Sequence, residues 1–139
     1  MKSVIYLTIL SCLISSLLGL NLKIKDDFKT MFQVKQLQKG DNQSFGGRGD
    51  RVQVHYTGTF PETGKVFDSS RTRGQPFTFR LGAGEVIKCW DMVVAKMSLG
   101  ERLKVVCPSN LAYGTRGAGR DIPPNANIAF DIEMLGINN

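Results

Sequence analysis

The side chains able to do acid–base, nucleophilic or metal chemistry are few and scattered. His55 is the only histidine of the 139-residue chain. It sits inside the alternating run Arg51-Val52-Gln53-Val54-His55-Tyr56-Thr57, with no acidic or serine partner implied by spacing. A solvent-facing or locally bonded strand histidine is therefore expected, not a general base. One histidine with the distant Cys89 and Cys107 makes no metal-ligand set, and no cofactor is expected. Gly82-Ala83-Gly84 and the glycines of 114–119 lack the Lys-Ser/Thr pair and the strand–helix setting of a phosphate loop, and read as turns. Arg48-Gly49-Asp50 is the tripeptide that integrins read, but an ordinary turn before a strand is the simpler account of it.

Charge is equally uninformative about a partner. Lys and Arg number 18 against 12 Asp and Glu, a net charge of +6. The basic residues are spread from Lys23 to Arg120 without a run of five, and no aromatic pair on adjacent strands makes a base-stacking platform. Nucleic-acid binding is not expected, and the charge reads as a soluble exterior. Apolar residues at 42% and charged residues at 22% are ordinary for a globular chain of one domain. Disorder, a collagen-like repeat, a dense disulfide scaffold and a polytopic membrane protein are excluded.

The N-terminus reads as an address. Lys2 precedes an uncharged run from Ser3 to Leu22, and the stretch from Val4 to Leu18 has the apolar character of a signal peptide core. Residues 1–19 are expected to be a signal peptide cut after Gly19, although Leu17 departs from the small-residue rule. The alternative is a signal anchor, since a spanning helix needs about 20 residues; membrane contact then follows only if the segment stays uncleaved. Residues 20–32 read as a connector. The expected location is the secretory pathway, in the endoplasmic reticulum lumen or outside the cell. Gly136-Ile137-Asn138-Asn139 is not a Lys-Asp-Glu-Leu-type retention signal. In that compartment Asn42-Gln43-Ser44 is a glycosylation sequon, with Asn42 as candidate acceptor. Cys89 and Cys107 are either a disulfide or two buried thiols; spacing leaves both open.

The elements that must position any site follow from periodicity. Phe32–Leu37 reads as a strand and residues 40–50 as loop. Residues 51–57 are a clean strand with Val52, Val54 and Tyr56 on one face. Residues 61–64 turn. Val66–Phe79 is extended but interrupted, with 76–81 as its second half. Val86, Ile87, Trp90, Val93, Val94 and Met97 form one apolar stripe, which predicts a helix over 86–97. Residues 103–107 alternate up to Pro108, 112–124 is a long loop, and 128–134 is the last strand. About five strands and one short helix make an α+β fold, an antiparallel sheet curled over the helix.

Five stretches carry the remaining signal: Val54-His55-Tyr56-Thr57-Gly58; Phe67-Asp68-Ser69-Ser70-Arg71; Pro76 to Gly82; Glu85-Val86-Ile87-Lys88-Cys89-Trp90-Asp91; and Leu111-Ala112-Tyr113-Gly114 with Ile122-Pro123-Pro124-Asn125-Ala126 and Phe130. In order and spacing they resemble the FKBP-type peptidyl-prolyl cis-trans isomerases, over roughly Gln33 to Ile137, and the isomerase domain is expected at 33–139. The resemblance implies a five-stranded antiparallel half-barrel around one short helix, with an apolar cleft between them. It implies catalytic roles for Tyr56, Phe67, Asp68, Trp90, Tyr113 and Phe130, with Trp90 as floor and Asp68 at the rim. It implies substrate binding by Arg73, Phe77, Glu85, Val86, Ile87 and Ile122, with Arg73 also supporting Asp68. The Ile87 N–H and the Tyr113 hydroxyl become donors to substrate carbonyls.

The implied activity is rotation about X–Pro bonds to assist folding in the secretory pathway. The implied partners are proline-containing peptides, unfolded client proteins and macrolide inhibitors, and the implied state is a monomer. The rival is a proline-segment-binding chaperone or macrolide-binding module with little turnover; an extracellular ligand acting through Arg48-Gly49-Asp50 is a third. Three positions depart from the family pattern. Ala118 stands where some members carry His, Asp121 replaces an apolar residue before Ile122, and Cys89 replaces a common Gly.

Overall fold

The structure, a computed structural model, describes residues 2–138. Met1 and Asn139, the outer ends of the segments expected at 1–19 and 33–139, lie outside the described residues. The chain divides into two compact units between Gln33 and Val34.

The first unit is one helix, α1 (Lys2–Phe32). It runs without a break through Gly19 and through the segment expected to be a connector. Its hydroxyls are accommodated internally: Ser11, Ser15 and Ser16 donate to the carbonyls of Thr8, Ser11 and Leu13 at 2.8–2.9 Å. The rings of Phe28 and Phe32, one turn apart, lie 4.9 Å from each other. The helix stops at Gln33, which takes the left-handed conformation (φ 45°) that commonly closes a helix. Thr8–Phe32 is long and apolar enough to cross a membrane by length and composition, a test that a signal sequence also passes.

The second unit carries six strands: β1 (Lys35–Gln38), β2 (Arg51–Thr59), β3 (Val66–Ser69), β4 (Phe77–Arg80), β5 (Arg102–Cys107) and β6 (Ile128–Asn138). A short helix, α2 (Lys88–Val94), precedes β5, and a 3-10 turn (Ser109–Leu111) follows it. The sheet runs β1-β5-β6-β2-β3, with β4 also on β2, and every pairing is antiparallel. The architecture is the expected α+β sheet around one helix. The sixth strand comes from the interrupted segment 66–79. Its halves pair with opposite ends of β2, Ser69 against Thr57 and Phe77 against Val54. A turn at Arg71–Gly74, with Gly74 at φ 67°, and the donorless Pro76 separate them.

Two boundaries differ from expectation. The strand read at 32–37 begins at Lys35, because Phe32 belongs to α1; β1 is an exposed edge strand whose Leu37 stays solvent-accessible. The helix read at 86–97 spans only 88–94. Ile87 is extended (ψ 149°), which turns Val86 and Ile87 out of the helix and towards the cleft. Met97 is still fully buried, reached through tight turns after Val94.

The core lies between the sheet and α2. Val52, Val54, Val105, Ile128, Ile132 and Met134 of the sheet and Cys89, Trp90, Val93 and Val94 of the helix are all buried. Cys89 and Cys107 form a disulfide with Cα atoms 5.8 Å apart, inside the roughly 4.4–6.8 Å such a bond requires. Of the two alternatives left open for these cysteines, the structure has the bridge.

Candidate active site

A cleft of about 390 Å³ opens between the sheet and α2, lined by Tyr56, Phe67, Asp68, Phe77, Gly84, Glu85, Val86, Ile87, Trp90, Tyr113 and Phe130. Every sequence-predicted site residue except Arg73 and Ile122 is on that wall.

The floor is aromatic. The Trp90 ring meets Tyr56 edge-on at 5.0 Å, Phe130 at 5.2 Å and Phe77 at 6.0 Å, and leans on Phe79 at 5.7 Å. Edge-to-face contacts of this kind lock ring orientation beyond what apolar burial alone does. The Trp90 Nε1–H is buried without an acceptor among the described residues. Phe67 stands edge-on to Phe130 at 5.9 Å and forms a side wall.

The rim is polar and tightly bonded. Tyr56 donates its hydroxyl to Asp68 Oδ2 at 2.5 Å, and Arg73 pairs with the other carboxylate oxygen. Arg73 also donates to the Tyr56 hydroxyl at 3.1 Å and lies over its ring at 5.8 Å. Burial pushes the Asp68 carboxyl up, but hydrogen bonds from Tyr56 and Arg73 outweigh it and hold it below the usual carboxylate value. Burial, and then the bond to Asp68, raises the Tyr56 phenol. Burial, and then the Asp68 charge, raises the Tyr113 phenol. Both phenols therefore keep their protons around neutrality, and Tyr113 can act as a donor into the cleft.

Two residues stand apart from that wall. Arg73 pairs with Asp68, the support the resemblance implies, and borders a separate depression with Gln75, Pro76, Phe77 and Thr78. Ile122 lies outside the lining. It is buried in its own loop, where it exchanges backbone hydrogen bonds with Ala118 at 2.9 and 3.1 Å.

Four residues to which sequence reasoning assigns no role, Gly58, Asp91, Ser70 and Arg71, position the site. A Cβ on Gly58 would fall 2.5 Å from Phe67 Cζ and 3.0 Å from Phe130 Cε1, so only glycine leaves both rings in place. Its signal was a glycine inside a strand pattern, which marks close approach. Asp91 accepts the Gly82 and Gly84 N–H groups at 2.8 and 3.1 Å, pinning the segment that delivers Glu85, Val86 and Ile87. Glu85 accepts the Arg80 N–H at 2.9 Å from the same segment. Ser70, fully buried, accepts the Tyr56 N–H at 2.8 Å and meets His55 Nδ1 at 2.9 Å. His55 is thus locally bonded, as its strand position implied. Arg71 braces the outer face of the sheet, bonding Thr57 at 3.1 Å, Asp131 at 3.2 Å and Glu133 at 3.5 Å.

The Arg48-Gly49-Asp50 tripeptide is occupied by its own turn. Asp50 Oδ2 accepts the Gly47 N–H at 2.7 Å, and the Arg48 side chain lies over Gly82. Asn42 is exposed in a loop at φ 55°.

The cleft is therefore an apolar aromatic box with a polar rim, and its lining holds no Ser, Cys, Thr, Lys or His. Comparison with known proteins agrees with that description. Residues 42–135 match the family model of the FKBP-type peptidyl-prolyl cis-trans isomerases. The chain is 51% identical to FK506-binding protein 1 of Yarrowia lipolytica over 105 residues, 76% of this chain and 96% of that protein. It is 47% identical to peptidyl-prolyl cis-trans isomerase Fkbp12 of Drosophila melanogaster over 105 residues, again 76% and 96%. It is 54% identical to peptidyl-prolyl cis-trans isomerase FPR2 of Saccharomyces cerevisiae over 89 residues, 64% of this chain and 66% of that protein. The chain belongs to the FKBP-type peptidyl-prolyl cis-trans isomerase family.

Proposed function

We propose that this isomerase turns X–Pro bonds of proline-containing segments and unfolded client proteins inside the aromatic cleft, as a monomer. The observation that carries the reading is the box of Tyr56, Phe77, Trp90 and Phe130, closed at its rim by Asp68 and Tyr113. An X–Pro amide rotates over a barrier of roughly 18–20 kcal/mol set by C–N resonance. No bond is broken, so no nucleophile is required. The planar amide is more dipolar than the twisted one. An apolar box removes the water that favours the planar form and lowers the relative cost of twisting.

In this reading the proline ring lies on Trp90 between Tyr56, Phe67 and Phe130, which grip the twisted geometry better than the planar one. The Ile87 N–H and the Tyr113 hydroxyl orient the flanking carbonyls. Asp68, held ionised by Tyr56 and Arg73, fixes the Tyr56 ring. Macrolides such as the one that names the Yarrowia relative would occupy the same cleft.

Two features support a secretory setting: the apolar helix α1 and the buried Cys89–Cys107 bridge, which belongs to oxidising compartments. We place 1–19 as a signal peptide, 20–32 as a connector and 33–139 as the isomerase domain, with Asn42 exposed for glycosylation. The second reading, an anchor, is favoured by the unbroken helix across Gly19.

The test is an NMR or protease-coupled isomerisation assay on a Leu-Pro or Phe-Pro peptide, with N-terminal sequencing of the chain made in cells. Acceleration and a start at Leu20 are expected. Macrolide binding without acceleration would leave a binding module, and an intact Met1 start in a membrane fraction would leave an anchor.

A further inference from the structure

We propose that the Cys89–Cys107 disulfide positions the isomerase site, holding the Trp90 floor and the Tyr113 rim in register. The half-cystines belong to different elements. Cys89 is in the first turn of α2, immediately before Trp90. Cys107 ends β5, from which the chain passes through Pro108 and the turn Ser109–Leu111 to Tyr113. Trp90 and Tyr113 line the cleft, whereas both cysteines are fully buried and line nothing. The bridge therefore touches no substrate and acts only through its neighbours.

Nothing polar duplicates it. Among the described residues no hydrogen bond or ion pair joins α2 to β5. The side-chain hydrogen bonds of α2 run instead to Gly82 and Gly84, through Asp91. The Tyr113 segment is fastened to the loop just before β6, by the Ser109 N–H to Asn127 Oδ1 at 3.1 Å and the Asn125 N–H to the Gly114 carbonyl at 2.8 Å. The disulfide is the tie across the gap.

Opening the bridge replaces one covalent contact by two thiols that must part to van der Waals distance inside a filled interior. A close-packed interior passes such a movement on instead of absorbing it. On one side that interior is α2, where Trp90 directly follows Cys89.

The inference rests on the isomerase reading, and the test separates the two. The full-length chain, in detergent because α1 is apolar, is compared in three forms. The first is oxidised. The second is reduced by dithiothreitol, which gives up two electrons and two protons, closes to its cyclic disulfide and leaves two protein thiols. The third is the Cys89→Ala/Cys107→Ala variant, which carries the comparison if the reduced chain unfolds. Alkylation and mass confirm the thiols. Peptide kcat/KM, macrolide Kd and the near-UV circular dichroism of Trp90, the only tryptophan, are read well below the unfolding midpoint.

The expected result is a fall in kcat/KM of about tenfold with a changed Trp90 band, since small misplacements in a site carry losses of that order, and recovery on reoxidation. An unbridged chain that keeps kcat/KM and macrolide Kd within about twofold, a change worth roughly 0.4 kcal/mol, overturns the proposal even if its midpoint falls. If the oxidised chain itself does not isomerise, the isomerase reading has failed. Macrolide Kd then decides alone: weakening supports positioning and no change overturns it.

Discussion

Tyr56 and Asp68 face each other across the cleft rim with 2.5 Å between phenol oxygen and carboxylate, and Arg73 bonds both. The three form one rigid corner, since each supplies what another lacks. The carboxylate accepts twice, the guanidinium only donates, and the phenol does both. Removing Asp68 therefore frees both partners from it, whereas removing Arg73 leaves the Tyr56–Asp68 bond. Asp68→Ala is expected to lower peptide kcat/KM by about tenfold or more, because it unlocks the Tyr56 ring against Trp90. Arg73→Leu should lose less, as Arg73 lies outside the cleft and leaves the Tyr56–Asp68 bond intact. Equal losses from the two variants, measured in the same assay, would show that Arg73 contacts substrate directly.

The protonation of that corner sets the pH response. Burial raises Asp68, but Tyr56 and Arg73 carry it below the ordinary 3.8, and Tyr56 and Tyr113 are raised above 10.0. Asp131 behaves like Asp68: burial raises it, and Arg102 and Arg71 outweigh that. A carboxylate with a lowered folded pKa stabilises the fold at pH values above its unfolded pKa. That contribution disappears as pH falls through the folded value. Activity should accordingly be flat from about pH 5 to about pH 9, with no bell, and both activity and thermal midpoint should fall together below about pH 4. A bell centred near neutrality, in kcat/KM measured across that range, would mean that a group outside the cleft corner controls turnover.

How much of this was readable without coordinates depended on range. The β2 alternation showed which residues face the core, because Val52, Val54 and Tyr56 are inward for a purely local reason, the period of two. The ends of α2 were not readable. Val86 and Ile87 continue the apolar stripe, but they are apolar because they line a cleft, and periodicity cannot tell a cleft from a core. The segment 66–79 looked like one interrupted strand, since its split depends on which end of β2 each half meets. The cleft walls came from ordered motifs matched to a family. Arg73 and Ile122 travelled with those motifs, although the Arg73 side chain answers to Asp68 and Ile122 is buried in its own loop. The 18-residue separation of Cys89 and Cys107 says nothing of the 5.8 Å between their Cα atoms.

Gly58 sits opposite Phe130 in the β2–β6 ladder, directly beneath Phe67. A methyl group there has no room. Either Phe67 swings into the cleft or β2 bows away from it. Gly58→Ala should cost about 1–3 kcal/mol of stability by overpacking. It should also reduce kcat/KM on a Phe-Pro peptide by more than Asp121→Asn does, since Asp121 is an exposed loop residue. Denaturant unfolding and the peptide assay on the same samples check both. A stable, fully active Gly58→Ala chain would mean that the Phe67 wall is soft.

Asp91 tests whether the Glu85–Ile87 segment needs to be held. Its carboxylate takes two backbone N–H groups, from Gly82 and Gly84, while the first turn of α2 otherwise holds the segment only at its end, through the Ile87 carbonyl. Each charge-assisted bond of this kind contributes about 1.5–3 kcal/mol, part of which water recovers at an accessible site. Asp91→Ala frees the loop without touching the floor, so Trp90 keeps its ring contacts and its near-UV band. What should suffer is the placement of the Ile87 N–H and of the Val86 and Ile87 side chains. Peptide KM and macrolide Kd are expected to weaken by about tenfold, with kcat changed less, because the loop orients substrate more than it twists the bond. Asp91→Asn keeps one acceptor oxygen and should recover part of the loss. A variant in which kcat collapses while KM stands would place the segment in the transition state instead, with the Ile87 N–H bonding the twisted amide alone.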